Sequence, residues 1–565
     1  MTLRVTIDGR TAEGLAGQTL FDCAESMGVK VPTSCLRKGR CRECLVEIES
    51  GAELLTPRAP QERHLNGPFR LACRTGFIAG AAGEVRGHTL RRGALRILTE
   101  SSGLDLHGHR PDPAVTRDGD VVLLDGKPLA TAPGPLHGLA VDIGTTTVAL
   151  RLHDLESGAL LATQSFENPQ RFGGSDVMAR IRYDGEHRDR LLQRTLIGYL
   201  THAIESLPVD PATIYEAVVA GNTTMRDLFF GLDVQPIGQL PYRSATEAAW
   251  RSGAARATSI GRTARQLRLP MHPRARVHGL PLIGSHVGAD AAAVLLAVAL
   301  ADREEIGVVM DIGTNTEIIV GNRHRLMAAS CPAGPAFEGG GVSCGMPALD
   351  GAIERVRIGD DGAVSTAVIA GAEPVGICGS GLVDLLSELR RTGTMNAQGR
   401  LAGEPEFVVD GPRRIALTEA DINELAQAKG ANAAGTRILL ETYGASLDRV
   451  ARFYLAGGFS AHLDVDAARQ IGLIPDLPAD RYVKVGNAAL AGAAAALLSR
   501  DARAALEELV RRVEHVQLEA HPRFFELFVE GCQFEPFGLT GIGSPEARPS
   551  DPIPADRSAR LRGHV

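Results

Sequence analysis

The chain has 565 residues, 44% hydrophobic and 22% charged, with a net charge of -7. That length exceeds a single core and predicts three or four structural units of roughly 100–200 residues. The acidic balance and lack of a long basic run argue against a nucleic-acid partner, and the longest nearly apolar stretch, 291–301, is too short for a bilayer, which takes about 20 residues.

At the N-terminus, residues 1–9 alternate apolar and polar and end in Asp8-Gly9, the pattern of a β-hairpin and not of a signal core. The expectation is a cytoplasmic protein with no membrane partner. A helix is predicted over 19–28, followed by a cysteine-rich loop and more strands. The chain holds nine cysteines, and in a large intracellular protein such a set points away from disulfides. Cys35, Cys41 and Cys44 have C-x5-C-x2-C spacing, with Cys73 distant. Two irons bridged by two sulfides need four terminal ligands, and three from one loop plus one from elsewhere meet that need. Zinc sites favour two short cysteine pairs, which this pattern lacks. The one-residue-longer loop resembles the adrenodoxin-like branch of β-grasp ferredoxins. Cys23, on the predicted helix, reads as core, and Cys331, Cys344, Cys378 and Cys532 lack ligand spacing. Arg37, Lys38, Arg40 and Arg42 make the loop basic, a solvated face that could also receive an acidic electron donor.

Turn dipeptides and mixed charge mark a linker from about residue 83 to 137, with a small hairpin around 121–124. An α/β region begins near Leu139, and the Pro-, Ser-, Asp- and Arg-rich tail 541–565 is expected to be disordered. No G-x4-G-K-[ST] loop is present. Instead, Asp142-Ile-Gly144-Thr145-Thr146-Thr147 is matched by Asp311-Ile-Gly313-Thr314-Asn315-Thr316-Glu317, each after an apolar strand. Glycine lets the backbone approach an anion, and hydroxyls and N–H groups can bond phosphate oxygens. Asp142 and Asp311 are then expected to face each other and hold Mg²⁺, mostly through water. Small-residue helices over 287–296 and 485–497, and an apolar strand ending at Gly457-Gly458, complete an order that resembles the actin, Hsp70 and sugar-kinase superfamily.

Taken together, the chain resembles the reductive activators of corrinoid proteins. The resemblance rests on Asp142 to Thr147, Gly173-Gly-Ser-Asp176-Val-Met-Ala-Arg180, Gly221-Asn-Thr-Thr-Met225, Ala333-Gly-Pro-Ala-Phe-Glu338, Gly376-Ile-Cys-Gly-Ser-Gly381 and Ile471-Gly-Leu-Ile-Pro475. It implies an α/β multidomain protein: a β-grasp [2Fe-2S] ferredoxin domain over 1–82, a linker over 83–137, a first ribonuclease H-like subdomain over 138–206, an actin-like ATPase domain over 207–540, and the tail. It also implies ATP-dependent reduction of a corrinoid methyl carrier from Co(II) to Co(I), by one electron from the cluster. Cofactors would be the cluster on Cys35, Cys41, Cys44 and Cys73, ATP and Mg²⁺. Partners would be the corrinoid protein, an external low-potential donor and a second copy of the chain. A ferredoxin cluster near about -400 mV is a weak reductant for this step, so ATP would act by switching conformations of different partner affinity. Glu317 is the candidate for orienting the hydrolytic water. The second turn departs from the family's usual glycine at Thr316, where a Cβ is expected to narrow the phosphate site. The rival expectation is a small-molecule kinase of the same superfamily with a regulatory ferredoxin domain.

Overall fold

The computed structural model describes residues 3–15, 17–90, 111–187 and 189–537. β1 (Leu3–Ile7) and β2 (Arg10–Gly14) form the expected hairpin around Asp8-Gly9, both residues having positive φ. The first helix, α1 (Leu20–Ser26), begins at a capping box in which Thr19 and Asp22 bond each other's backbone N–H. It buries Leu20, Phe21, Cys23 and Ala24, so Cys23 is a core residue. β3 (Leu45–Ser50), β4 (Phe69–Leu71) and β5 (Gly83–Thr89) complete a sheet in the order β2-β1-β5-β3-β4.

That sheet corrects the expected boundary at residue 82. Residues 83–89 are its central strand, parallel to β1 and antiparallel to β3. The segment hides from hydropathy because Glu84, Arg86 and His88 interrupt it, and because Gly87 is there for close approach: a Cβ would lie 2.5 Å from the Glu47 carbonyl oxygen.

The rest of the expected linker is also folded where it is described. β6 (Val115–Asp118), β7 (Val121–Leu124) and β8 (Lys127–Thr131) form a three-stranded sheet, not a lone hairpin. Val115, Val122 and Leu129 join a core shared with Ala140 and Leu497. Residues 91–110 and the tail 541–565, with its expected disorder, lie outside the described residues.

Two lobes follow, each built on a six-stranded sheet. In the first, β9 (His137–Ile143), β10 (Thr147–Asp154), β11 (Leu160–Glu167), β12 (Ile214–Gly221), β13 (Ile260–Thr263) and β14 (Arg276–Gly279) run in the order β11-β10-β9-β12-β14-β13. Helices α2 (Val177–Glu186) and α3 (Leu191–Glu205) carry the chain from β11 back to β12. Because β12 pairs in parallel with β9, the boundary expected at residue 206 cuts through one sheet. The crossover through α2 and α3 is what a parallel pair requires, and it looks like a domain edge only when read as sequence.

In the second lobe, β15 (Ile306–Ile312), β16 (Thr316–Gly321) and β17 (Leu326–Cys331) lie between the strands Tyr482–Gly486 and Val450–Ala456 on one side and Val513–His515 on the other. Both lobes therefore repeat one arrangement. A strand turns through Asp-Ile-Gly into an antiparallel neighbour, while its other edge pairs with a parallel strand. The helices Ala289–Val298 and Ala488–Leu498 cross between the sheets, and a Cβ at Gly492 would lie 1.9 Å from the Ala293 carbonyl oxygen. Only small residues allow that approach, which explains their alanine-rich sequences. No helix among the described residues is long and apolar enough to cross a membrane.

Candidate functional site

A cleft opens between the lobes, and the structure brings all the predicted nucleotide residues to it. Asp142, Gly144, Thr145, Thr146 and Thr147 line one wall, and Asp311, Gly313, Thr314, Asn315 and Glu317 line the other. Gly457 and Gly458 border it where the strand Val450–Ala456 ends. Gly457 has a φ of 92° and packs flat on the second turn, where a Cβ would lie 2.3 Å from the Ile312 carbonyl oxygen. Beyond it, Phe337, Met346, Ala348, Cys378 and Phe459 form a largely apolar wall.

The electrostatics of the cleft are acidic. Burial pushes Asp142 up to about 6, restrained by the Asn487 amide, which donates to its Oδ2 at 3.0 Å. Asp290, at the first turn of the helix Ala289–Val298, is pushed up to about 7 by burial, with Asp142 adding to the effect. Asp311 rises to about 8 through burial and the charges of Asp290 and Asp142. Glu317 is driven well above the carboxylate range by burial, Asp290 and Asp311, although the Ser330 hydroxyl donates to it at 3.1 Å. These carboxyls raise one another through their like charges, though among the described residues no three of them stand as a ready-made ion site.

Several of these residues carried no role in the sequence. Asp290 comes from a helix read only for its small residues. Asn222 donates its amide to the Thr145 hydroxyl at 2.9 Å. Fully buried Arg180 donates to the Thr145 carbonyl oxygen at 2.6 Å, so it braces the first turn from behind. Asn487 and Glu338 are likewise new. All of them sit in strings that carry the family resemblance or the predicted helices, but only the fold places them together. Thr316 reverses an expectation. It is fully buried and alternates with Glu317 along β16, outside the cleft wall, so its Cβ does not narrow the phosphate site.

The four predicted cluster cysteines also converge. Cys44 Sγ lies 3.3 Å from Cys73 Sγ, beyond the ~2.05 Å of a disulfide. Cys35 and Cys41 share a thiol contact, and the Arg40 N–H points at Cys35 Sγ at 3.4 Å. Although burial opposes it, hydrogen bonds from Cys41, Arg40 and Lys38 bring Cys35 down to about 7. The loop bends through positive φ at Leu36, Arg37, Gly39 and Arg42. Four thiols with backbone N–H groups aimed at sulfur fit an iron–sulfur cluster.

Comparison with known proteins agrees with both halves. Residues 305–541 match the family described as the C-terminal domain of RACo, the ASKHA domain, and residues 137–303 match the RACo middle region. Residues 1–61 match a 2Fe-2S iron-sulfur cluster binding domain. A solved structure described as a reductive activator for corrinoid, iron-sulfur protein is 30% identical, with a TM-score of 0.69, covering 94% of this chain and 98% of that one. The chain belongs to the RACo family. Among curated relatives, the corrinoid activation enzyme RamQ of Eubacterium limosum is 29% identical, over 91% of this chain and 95% of its own. The [Co(II) methylated amine-specific corrinoid protein] reductase of Methanosarcina barkeri is 25% identical, over 70% and 76%.

This RACo-family chain thus carries a 2Fe-2S binding domain and an ASKHA nucleotide-binding domain. The first is fastened to the lobe behind the cleft. Glu43, between the loop cysteines Cys41 and Cys44, accepts from Ser34 at 2.5 Å and pairs with His202 of α3 at 3.1 Å. Gly198 makes room for it, since a Cβ there would lie 2.7 Å from Glu43 Cγ. On α2, the Tyr183 hydroxyl donates to the His64 carbonyl oxygen at 2.5 Å, one turn from Arg180. Helix α2 therefore touches the first phosphate turn and the ferredoxin domain at once.

Proposed function

We propose that the protein reactivates a corrinoid methyl-carrier protein, using ATP to drive transfer of one low-potential electron that converts Co(II) to Co(I). The observation that supports this reading best is a four-thiol site and an acidic two-lobed cleft in one chain, bridged by α2. Relatives named for corrinoid activation and corrinoid protein reduction align along most of that length.

Cys35, Cys41, Cys44 and Cys73 would hold the [2Fe-2S] group, which when bound supplies a one-electron carrier. The chain's part is to bury Cys44 and Cys73, aim N–H groups at sulfur, and leave Leu36 of the loop 84% exposed where a partner can approach. In the cleft, Gly144 to Thr147 and Gly313 to Asn315 would receive the phosphates, and Gly457 and Gly458 would border the nucleoside. Asp142 and Asp311 would position Mg²⁺, with Asp290 beside them. Glu317 would orient the hydrolytic water. Burial, with the charges of Asp290 and Asp311 beside it, raises its carboxyl above the usual range, so nearby positive charge would favour the ionised, accepting form. An external donor would reload the loop.

The reading is tested by measuring ATP hydrolysis with and without a Co(II) corrinoid protein. Stimulation by that protein is expected. Hydrolysis indifferent to it, with a phosphorylated small molecule accumulating instead, would replace this reading with a kinase.

A further inference from the structure

The two phosphate turns are joined across the cleft by a carboxylate. Thr146, from the first turn, donates its hydroxyl to Glu338 Oε2 at 2.9 Å, and Thr314, from the second, donates to the same oxygen at 2.5 Å. The two hydroxyl oxygens lie 3.2 Å apart. Glu338 ends the short helical segment Ala336–Glu338, and it is fixed there by Gly339, whose φ is 85° and whose Cβ, if it had one, would meet the Met346 nitrogen at 2.5 Å. Burial raises Glu338, while the two threonine hydroxyls and the charge of Arg180 favour its ionised form. Arg180 itself hydrogen-bonds no carboxylate among the described residues; its partners are the carbonyl oxygens of Thr145 and Gly174 and the sulfur of Met225.

Each threonine hydroxyl has one proton to give. In the clasp both are held within the cluster, given to one oxygen of Glu338 directly or through the neighbouring threonine hydroxyl. An ionised phosphate oxygen is likewise an acceptor without a donor, so it can bond these hydroxyls only by taking their protons away from the carboxylate, against the repulsion of like charges.

We propose that Glu338 is a built-in competitor for nucleotide phosphate, a clasp between the two lobes whose hydroxyl partners the phosphate must take over. Clasp and phosphate are mutually exclusive at Thr146 and Thr314. Binding of a polyphosphate nucleotide thus breaks one link between the lobes as it makes another, and Glu338 sets how tightly the nucleotide is held. A nucleotide too short to reach both hydroxyls leaves the clasp closed. The inference rests on the cleft being the nucleotide site.

The test is calorimetric titration of the full-length protein with MgATP and with AMP, for the wild type, Glu338→Gln and Glu338→Ala. Removing the competing charge should tighten MgATP about tenfold, the scale of a charge-assisted hydrogen bond gained, and leave AMP unchanged. Thr146→Val should weaken MgATP more in the Glu338→Ala background than in the wild type, because only there is the hydroxyl gained without exchange. Wild-type binding with no tightening in either Glu338 variant would overturn the clasp alone. So would slower single-turnover hydrolysis at unchanged affinity, which would make Glu338 part of the hydrolytic machinery. A wild type that binds no nucleotide would overturn both the clasp and the reading of the cleft.

Discussion

The two phosphate turns share a sequence pattern and a strand topology, yet they are supported differently. The first is braced from three sides: Asn487 donates to Asp142, Asn222 to the Thr145 hydroxyl, and Arg180 to the Thr145 carbonyl oxygen. The second has Asp311, whose side chain no hydrogen bond or ion pair reaches among the described residues, facing Asp290 and Glu317. The result is Asp142 at about 6 against Asp311 at about 8. A duplicated motif fixes backbone geometry, but the residues packed behind it decide how much charge each copy carries. The first turn has its aspartate and its threonine both braced by side-chain amides or a guanidinium, while the second has its threonine held by Glu338 and its aspartate left beside other carboxyls.

Breaking the weaker side should have the largest effect. Asp311→Asn is expected to slow ATP hydrolysis by at least about 100-fold, as loss of a positioned charge at a metal-assisted site does, while the cluster's visible spectrum stays intact. The same change removes a repelled carboxyl, so the melting temperature measured in chelator at pH 8 should rise, by about 1 °C if ~1 kcal/mol is recovered.

The pH dependence sharpens the contrast. Asp142, Asp290 and Asp311 all have folded values raised above those of an unfolded chain, so the folded state binds the extra protons. Their contribution to stability is present at low pH and lost as pH rises from about 4 through 8. In chelator, melting temperature should fall over that range, and Mg²⁺ should recover more of it at pH 8 than at pH 6. An equal recovery at both values would contradict the assignment of the cation to these carboxyls.

A smaller effect is expected on the braced side. Asn487→Ala removes a side-chain donor to Asp142 and should weaken Mg²⁺ binding several-fold, the scale of a lost hydrogen bond of about 1 kcal/mol. His202→Ala should change least. It removes one mostly buried partner of Glu43, whose Ser34 donor remains, so the cluster spectrum should persist while proteolysis between the ferredoxin domain and the first lobe quickens.

The two functional regions were not equally legible in the sequence. Cys35, Cys41 and Cys44 lie on one loop, so their ligand spacing is written locally, and Cys73 was read as the distant fourth because two bridged irons need four terminal ligands. The turns were legible because they repeat. Their supporting residues were not: Asp290, Asn487, Asn222 and Arg180 come from four helices or helix starts, and nothing in local pattern says that these elements converge. Glu338 is hidden for the same reason, 192 residues from Thr146. The fold was missed at β5 and only partly read at residues 115–131, where the apolar run 121–124 marked a hairpin but the strands flanking it carry charged residues and no hydrophobic run. The cut at 206 failed because a parallel crossover and a domain boundary look alike without the sheet.

The central claim is that nucleotide in the cleft drives electron transfer from the thiol loop to a corrinoid. The direct measurement is cobalt absorbance after mixing the reduced, cluster-loaded protein with a Co(II) corrinoid protein, with and without MgATP. The account predicts that Co(I) appears only with MgATP, and not with the Asp311→Asn variant. Co(II) that persists while wild-type protein consumes ATP would contradict it.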